Sequence, residues 1–167
     1  LDCLCLRTTG AVRALRAPEP PLQYLLSDPV FRERRARLID GGAYDGDTIR
    51  ALCNDGVPLE AVAAFEPDPS NFAALASFAR SQPVLDLTLF PCGLWSRSCQ
   101  LAFDATGNDG ARLGLNGSTT IQCVALDDAL PSFRPTLVKL DIEGAEPQAL
   151  EGACSIIAKH RPALAVS

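Results

Sequence analysis

The sequence has no methionine, one histidine and one tryptophan in 167 residues. With His160 alone, a zinc site of mixed His and Cys ligands has little to draw on, and no metal is expected. No Cys-x-x-Cys pair occurs, and the seven cysteines, at positions 3, 5, 53, 92, 99, 123 and 154, are odd in number. Several stand inside apolar runs, which fits free buried thiols in a reducing cytosol better than a disulfide framework. No apolar stretch approaches the roughly 18 residues that span a bilayer, and the first residues lack a signal-peptide pattern. A cytoplasmic protein with no membrane partner is expected. A basic footprint is missing as well. Net charge is −5, and the densest cationic run, Arg32-Glu33-Arg34-Arg35-Ala36-Arg37, is short and interrupted by an acid. That argues against a sequence-independent grip on nucleic acid. The missing methionine, at the first position as elsewhere, is most simply read as a chain trimmed from a longer one.

What is present is ordinary globular material. The chain is 47% apolar and 21% charged, long enough for one domain with a real core. Residues 1–36 are weakly patterned and hold the breaker cluster Ala17-Pro18-Glu19-Pro20-Pro21; they read as a partly helical N-terminal extension. Residues 37–167 read as the main domain. There the order is strand, turn, helix, repeated. Strands are expected at Arg37–Asp40, Ala61–Phe65, Leu85–Phe90, Leu137–Asp141 and Pro162–Val166, and helices at Asp47–Cys53, from Asp68 through Phe78, and at Pro147–His160. Between the third and fourth core strands, Cys99–Phe103 and Ser118–Leu126 read as further strands. They flank the glycine-rich segment Thr106–Gly117, a hairpin-like excursion in place of a crossover helix. The alternation predicts a mostly parallel sheet with flanking helices, apparently stopping after the fifth core strand.

Ligands of such sheets bind outside the carboxyl ends of the strands. Asp40, Glu66, Asp141 and Glu143 are expected just past strand ends, converging on that edge. In the turn Asp40-Gly41-Gly42-Ala43-Tyr44-Asp45-Gly46, Gly42 and Gly46 remove side chains where a ligand must approach the backbone. The helix start behind the turn suits an anionic group. Glu66, at the end of the second strand, can accept hydrogen bonds from both hydroxyls of a ribose, or else cap the Asp68 helix as an exposed carboxylate. In Lys139-Leu140-Asp141-Ile142-Glu143-Gly144-Ala145-Glu146 a buried strand runs into three carboxylates and a glycine. Glu146 there suits the first turn of the next helix. Asp141 and Glu143 are the better candidates for polar chemistry.

Together with Ala64-Phe65-Glu66-Pro67-Asp68, Leu126-Asp127 and Leu150-Glu151-Gly152-Ala153, these segments resemble the FkbM-type methyltransferases from about Leu38 to the end. The resemblance implies a Rossmann-like class I methyltransferase fold, S-adenosylmethionine as cofactor, and O-methylation of a hydroxyl on a sugar or natural-product small molecule. It puts the glycine motif on Asp40, Gly42, Ala43 and Gly46, and the ribose acid on Glu66. The Lys-x-Asp-x-Glu-Gly segment falls on Lys139, Asp141, Glu143 and Gly144. The chain departs from the family in stopping where members usually continue, and in carrying Tyr44 where Asn is frequent. Tyr44 offers a ring face to a sulfonium instead.

The cofactor-binding set is therefore Asp40, Gly42, Ala43, Tyr44, Gly46, Glu66 and Asp141. Asp141 and Glu143 are the candidate catalytic groups, as general base or as ligands. His160 is expected at the opposite edge of the sheet. Two other classes compete: a nicotinamide-dependent oxidoreductase on a related fold, and a binding module without turnover. Against the first, Gly41, Gly42 and Gly46 do not fit Gly-x-Gly-x-x-Gly, and no Tyr-x-x-x-Lys pair occurs. An open sheet edge leaves pairing with a second copy available.

Overall fold

A computed structural model of the chain describes residues 35–82, 86–104, 112–113 and 119–167. The expected N-terminal extension and the glycine-rich segment at 106–117 lie almost wholly outside the described residues. Strand β1 spans Ala36–Gly41, and helix α1 Asp47–Asn54. Strand β2 spans Leu59–Phe65 and helix α2 Pro69–Arg80, with β3 at Asp86–Phe90. Then come β4 (Gly93–Leu94), β5 (Cys99–Asp104), β6 (Arg112–Leu113) and β7 (Thr119–Val124). Helix α3 (Leu126–Ala129), β8 (Leu137–Leu140), α4 (Glu146–Glu151), α5 (Cys154–His160) and β9 (Ala163–Val166) complete the order.

The main sheet runs β3-β2-β1-β8-β9, with every neighbouring pair parallel. This is an α/β Rossmann-like fold. Its strand order reverses at β1 and β8, which defines the crevice where ligands of such sheets sit. Alternate residues along the central strands go to opposite faces, as a pleat dictates. Leu38, Val62, Ala64 and Leu137 join Ile49, Leu52 and Leu75 of α1 and α2 on one face. Ile39, Ala63, Phe65, Val138 and Leu140 join Leu126, Ala149 and Ile156 on the other. The excursion forms its own sheet, β4-β7-β5-β6, in which β5 runs antiparallel to β6 and β7. β4 was not visible in the sequence pattern.

Several element boundaries differ from expectation. The seventh strand ends at Val124, and Leu126 begins a short helix instead of closing the strand. β8 ends at Leu140, so Asp141 lies outside it, although its N–H still donates to Gly41 O at 3.0 Å. The helix expected over Pro147–His160 is two helices, broken at Gly152-Ala153. A side chain at Gly152 would collide with the Trp95 carbonyl, so the chain turns there under close packing. The second helix is then capped from a distance. Asp127 Oδ2 accepts from Ser155 N and Oδ1 from Ile156 N, each at 2.8 Å, satisfying two of the amides a helix start leaves unpaired.

The cysteines are more varied than expected. Cys92 and Cys123 are buried, but Cys53 and Cys154 are exposed and Cys99 is half-buried; all five are free. Burial pushes the Cys92 thiol up to about 11 and that of Cys123 to about 12, which makes both poor nucleophiles. Among the described residues no helix is long and apolar enough to cross a membrane.

Candidate functional site

A cleft of about 360 Å³ opens at the carboxyl ends of the central strands. Phe65, Glu66 and Pro67 line it from the end of β2, with Asn71 from the first turn of α2. Gly42, Tyr44 and Asp47 line it from the turn after β1. Cys92, Gly93 and Leu94 come from the segment after β3, and Lys139, Asp141, Ile142 and Glu143 from the end of β8.

The turn after β1 is held tightly. Gly42 N and Ala43 N both donate to Phe65 O, at 3.1 and 3.0 Å, which ties the turn to the end of β2. Gly42 has φ of 74°, and a Cβ there would strike the Asp141 carbonyl oxygen. Only glycine satisfies both conditions. The turn and the Asp141 segment thus pack backbone against backbone. Tyr44 has a left-handed φ of 49°, rare for a non-glycine residue. Its amide donates to Glu66 Oε2 at 2.9 Å, and its side chain stays largely exposed at the cleft rim.

Glu66 is not the exposed cap that one reading of the sequence allowed. It is 5% exposed. Its Oε1 accepts from Asp68 N at 2.9 Å and lies 3.5 Å from Asn71 Nδ2. An ionised carboxylate offers about four acceptor positions, and the three donors, from Tyr44, Asp68 and Asn71, leave one of them open. Burial raises its pKa, opposed by the donations from the Asp68 and Tyr44 amides. Capping of α2 falls to Asp68, whose Oδ1 accepts from Ser70 N and Asn71 N, each at 2.9 Å.

Asp40 is where the structure departs most from expectation. β1 continues through Gly41, so Asp40 lies inside the strand, fully buried, and its side chain is not part of the cleft wall. The parallel register sets it beside Lys139. Lys139 Nζ lies 3.2 Å from Asp40 Oδ1 and donates to Gly42 O at 2.6 Å. Burial pushes the Asp40 carboxyl up to about 6, and the Lys139 charge offsets part of that rise. Asp40 thus meets the cleft only by way of Lys139, which lines it and ties down the glycine turn through Gly42 O.

Two more of the expected residues support the turn from behind. Ala43 is fully buried, in the core with Ile49 and Leu52. Gly46 has φ of 90° and sits against the Phe78 ring, where a Cβ would come within 2.6 Å. The helix start is also less inviting to an anion than predicted: Asp47 lines the cleft, and its Oδ1 accepts from Thr48 N at 2.7 Å. His160 is the last residue of α5, just before β9 begins, at the other end of the sheet from the cleft.

Asp141 and Glu143 both reach the cleft, as expected. Asp47, Asn71, Cys92 and Lys139 line it too, and the sequence reading did not name them as site residues. Cys92 carried a usable signal, because it stands just past the end of β3 as Glu66 stands past β2. Asn71 is brought over the strand ends by the first turn of α2. Among the described residues, the cleft wall carries the carboxylates of Asp47, Glu66, Asp141 and Glu143 against the one cation of Lys139, which suits a ligand bearing positive charge.

A Rossmann-like sheet with an acid-rimmed cleft over its central strand ends defines an α/β domain whose ligand site lies at the switch in strand order. Residues 40–166 match the methyltransferase FkbM domain, and the chain belongs to that family. It is 30% identical over 149 residues to the hexuronic acid methyltransferase AglP of Haloferax volcanii, a match covering 84% of this chain and 58% of that protein. The chain thus spans little more than half the length of this relative. The crystal structure of methyltransferase FkbM from Methylobacillus flagellatus shares the fold, with a TM-score of 0.69 at 24% identity over 99% of this chain and 42% of the other.

Proposed function

We propose that the chain carries the cofactor site of an S-adenosylmethionine-dependent O-methyltransferase acting on a hydroxyl of a sugar or natural-product small molecule. The observation that supports this most is the buried carboxylate of Glu66, which lines the cleft and accepts from the Tyr44 amide of the glycine turn. A ribose diol presents two hydroxyl donors; the Glu66 carboxylate keeps a free acceptor position for one, and the second would displace the long 3.5 Å Asn71 contact. The cleft's acidic wall suits a cofactor with a sulfonium and an ammonium group. Gly42, Tyr44, Glu66 and Asp141 would hold it, with Asp40, Ala43 and Gly46 shaping the turn beneath. The sugar acceptor is supported by the relative whose name specifies a hexuronic acid.

When bound, S-adenosylmethionine supplies an electrophilic methyl group. The chain's own residues then have two tasks. One is orientation, since transfer needs the acceptor oxygen in line with the breaking bond. The other is removal of the acceptor hydroxyl's proton, for which Asp141 or Glu143 is placed on the cleft wall as general base.

Glu66→Ala tests the reading. Loss of charge-assisted hydrogen bonds predicts a fall in S-adenosylmethionine affinity of about 10- to 100-fold by calorimetric titration. Unchanged affinity would remove Glu66 from the cofactor site.

A further inference from the structure

The carboxylate of Glu146 belongs to no wall of the cleft, yet it is only 6% exposed. A buried carboxylate needs partners, and those of Glu146 are specific. Its Oε1 accepts from Ile142 N at 3.0 Å and from Gly144 N at 3.2 Å. These two amides flank Glu143, which has a left-handed φ of 56°, and Gly144 follows with φ of 95°. A left-handed non-glycine residue is strained and persists only where its surroundings impose it. The chain between β8 and α4 is thus bent into an unfavourable shape and clamped there by one oxygen atom. Asp141, Ile142 and Glu143, the residues leading into and forming the bend, all line the cleft.

We propose that Glu146 is a positioning residue: its buried carboxylate grips the amides of Ile142 and Gly144 and so fixes how Asp141 and Glu143 are presented to the cleft. The role goes beyond the ordinary effect of an acid at a helix start. That effect would be satisfied by charge near the first turn of α4, whereas here the oxygen reaches back outside the helix to the strand-end segment. The grip needs an acceptor oxygen and does not need a charge. The consequence for cofactor binding rests on the proposed S-adenosylmethionine site; the grip on the backbone does not.

The test compares Glu146→Ala and Glu146→Gln in the whole chain by amide hydrogen exchange and by titration with S-adenosylmethionine. Glu146→Gln keeps an acceptor oxygen in place and should leave exchange at Ile142 and Gly144, and the affinity, within about threefold of the parent. Glu146→Ala should speed exchange at those two amides at least about tenfold more than at the amides of β1 and β2, and weaken S-adenosylmethionine binding about tenfold. Equal exchange at 142 and 144 in the alanine variant and the parent overturns the proposal. So does a glutamine variant as impaired as the alanine one, because charge and not the grip would then be at work. Should the alanine variant fail to fold, the glutamine variant decides alone: parent-like exchange and affinity support the grip, and loss of either contradicts it. A parent chain that binds no S-adenosylmethionine would defeat the cofactor reading, while exchange at the two amides still decides the grip.

Discussion

Asp40 gives up all contact with solvent in a strand that could have held a leucine, and its carboxyl titrates near 6 as a result. Lys139 at 3.2 Å recovers only part of the lost hydration. A group whose pKa is raised on folding holds its proton in the folded chain while the unfolded chain has released it. Stability therefore falls as pH rises from the ordinary carboxylate range toward 6, and levels off above. The shift from 3.8 to about 6 corresponds to on the order of 3 kcal/mol. Urea unfolding from about pH 4 to about pH 7 should show this slope in the parent chain and a shallower one in Asp40→Asn. Glu66, also raised, contributes in the same direction to both chains, so the difference between them isolates Asp40. Superimposable pH profiles would show that Asp40 is not the group responsible. The pairing behind this prediction was hidden in the sequence. Asp40 and Lys139 meet only because β1 and β8 align in register, and nothing local to either residue announces it.

At the scale of elements, local signals succeeded where one stretch of chain decides its own structure. Pro69 and Asp68 marked the start of α2, and glycines marked the turn after β1. They failed where a distant partner decides. The pattern from Pro147 to His160 predicts one helix, and it breaks at Gly152 because the Trp95 carbonyl is packed against it. The cap of α5 comes from Asp127, on another helix. Asp127→Ala should cost about 0.5–2 kcal/mol in urea unfolding, as for other lost caps, with the cleft unchanged. A variant as stable as the parent would show that α5 finds its amide partners elsewhere. The cleft was legible to the extent that it follows strand ends, as with Glu66, Asp141 and Glu143. Lys139 stood out as part of the Lys-x-Asp-x-Glu-Gly segment, but its pairing with Asp40, and the place of Asn71 in the cleft, came to light only once the elements were assembled.

At the scale of the whole molecule, one parallel sheet brings together a glycine turn, a buried glutamate and a pair of strand-end carboxylates, the set proposed to hold a cationic, ribose-bearing cofactor. The fold and the family follow from the strand order and from the match over residues 40–166. The choice of cofactor is the step that a single experiment decides. Calorimetric titration of the chain with S-adenosylmethionine, its demethylated product and NADH sets the proposed site against the nucleotide chemistry it competes with. Saturable one-site binding of S-adenosylmethionine, with no heat from NADH, is the predicted result; saturable binding of NADH with none of S-adenosylmethionine would contradict it.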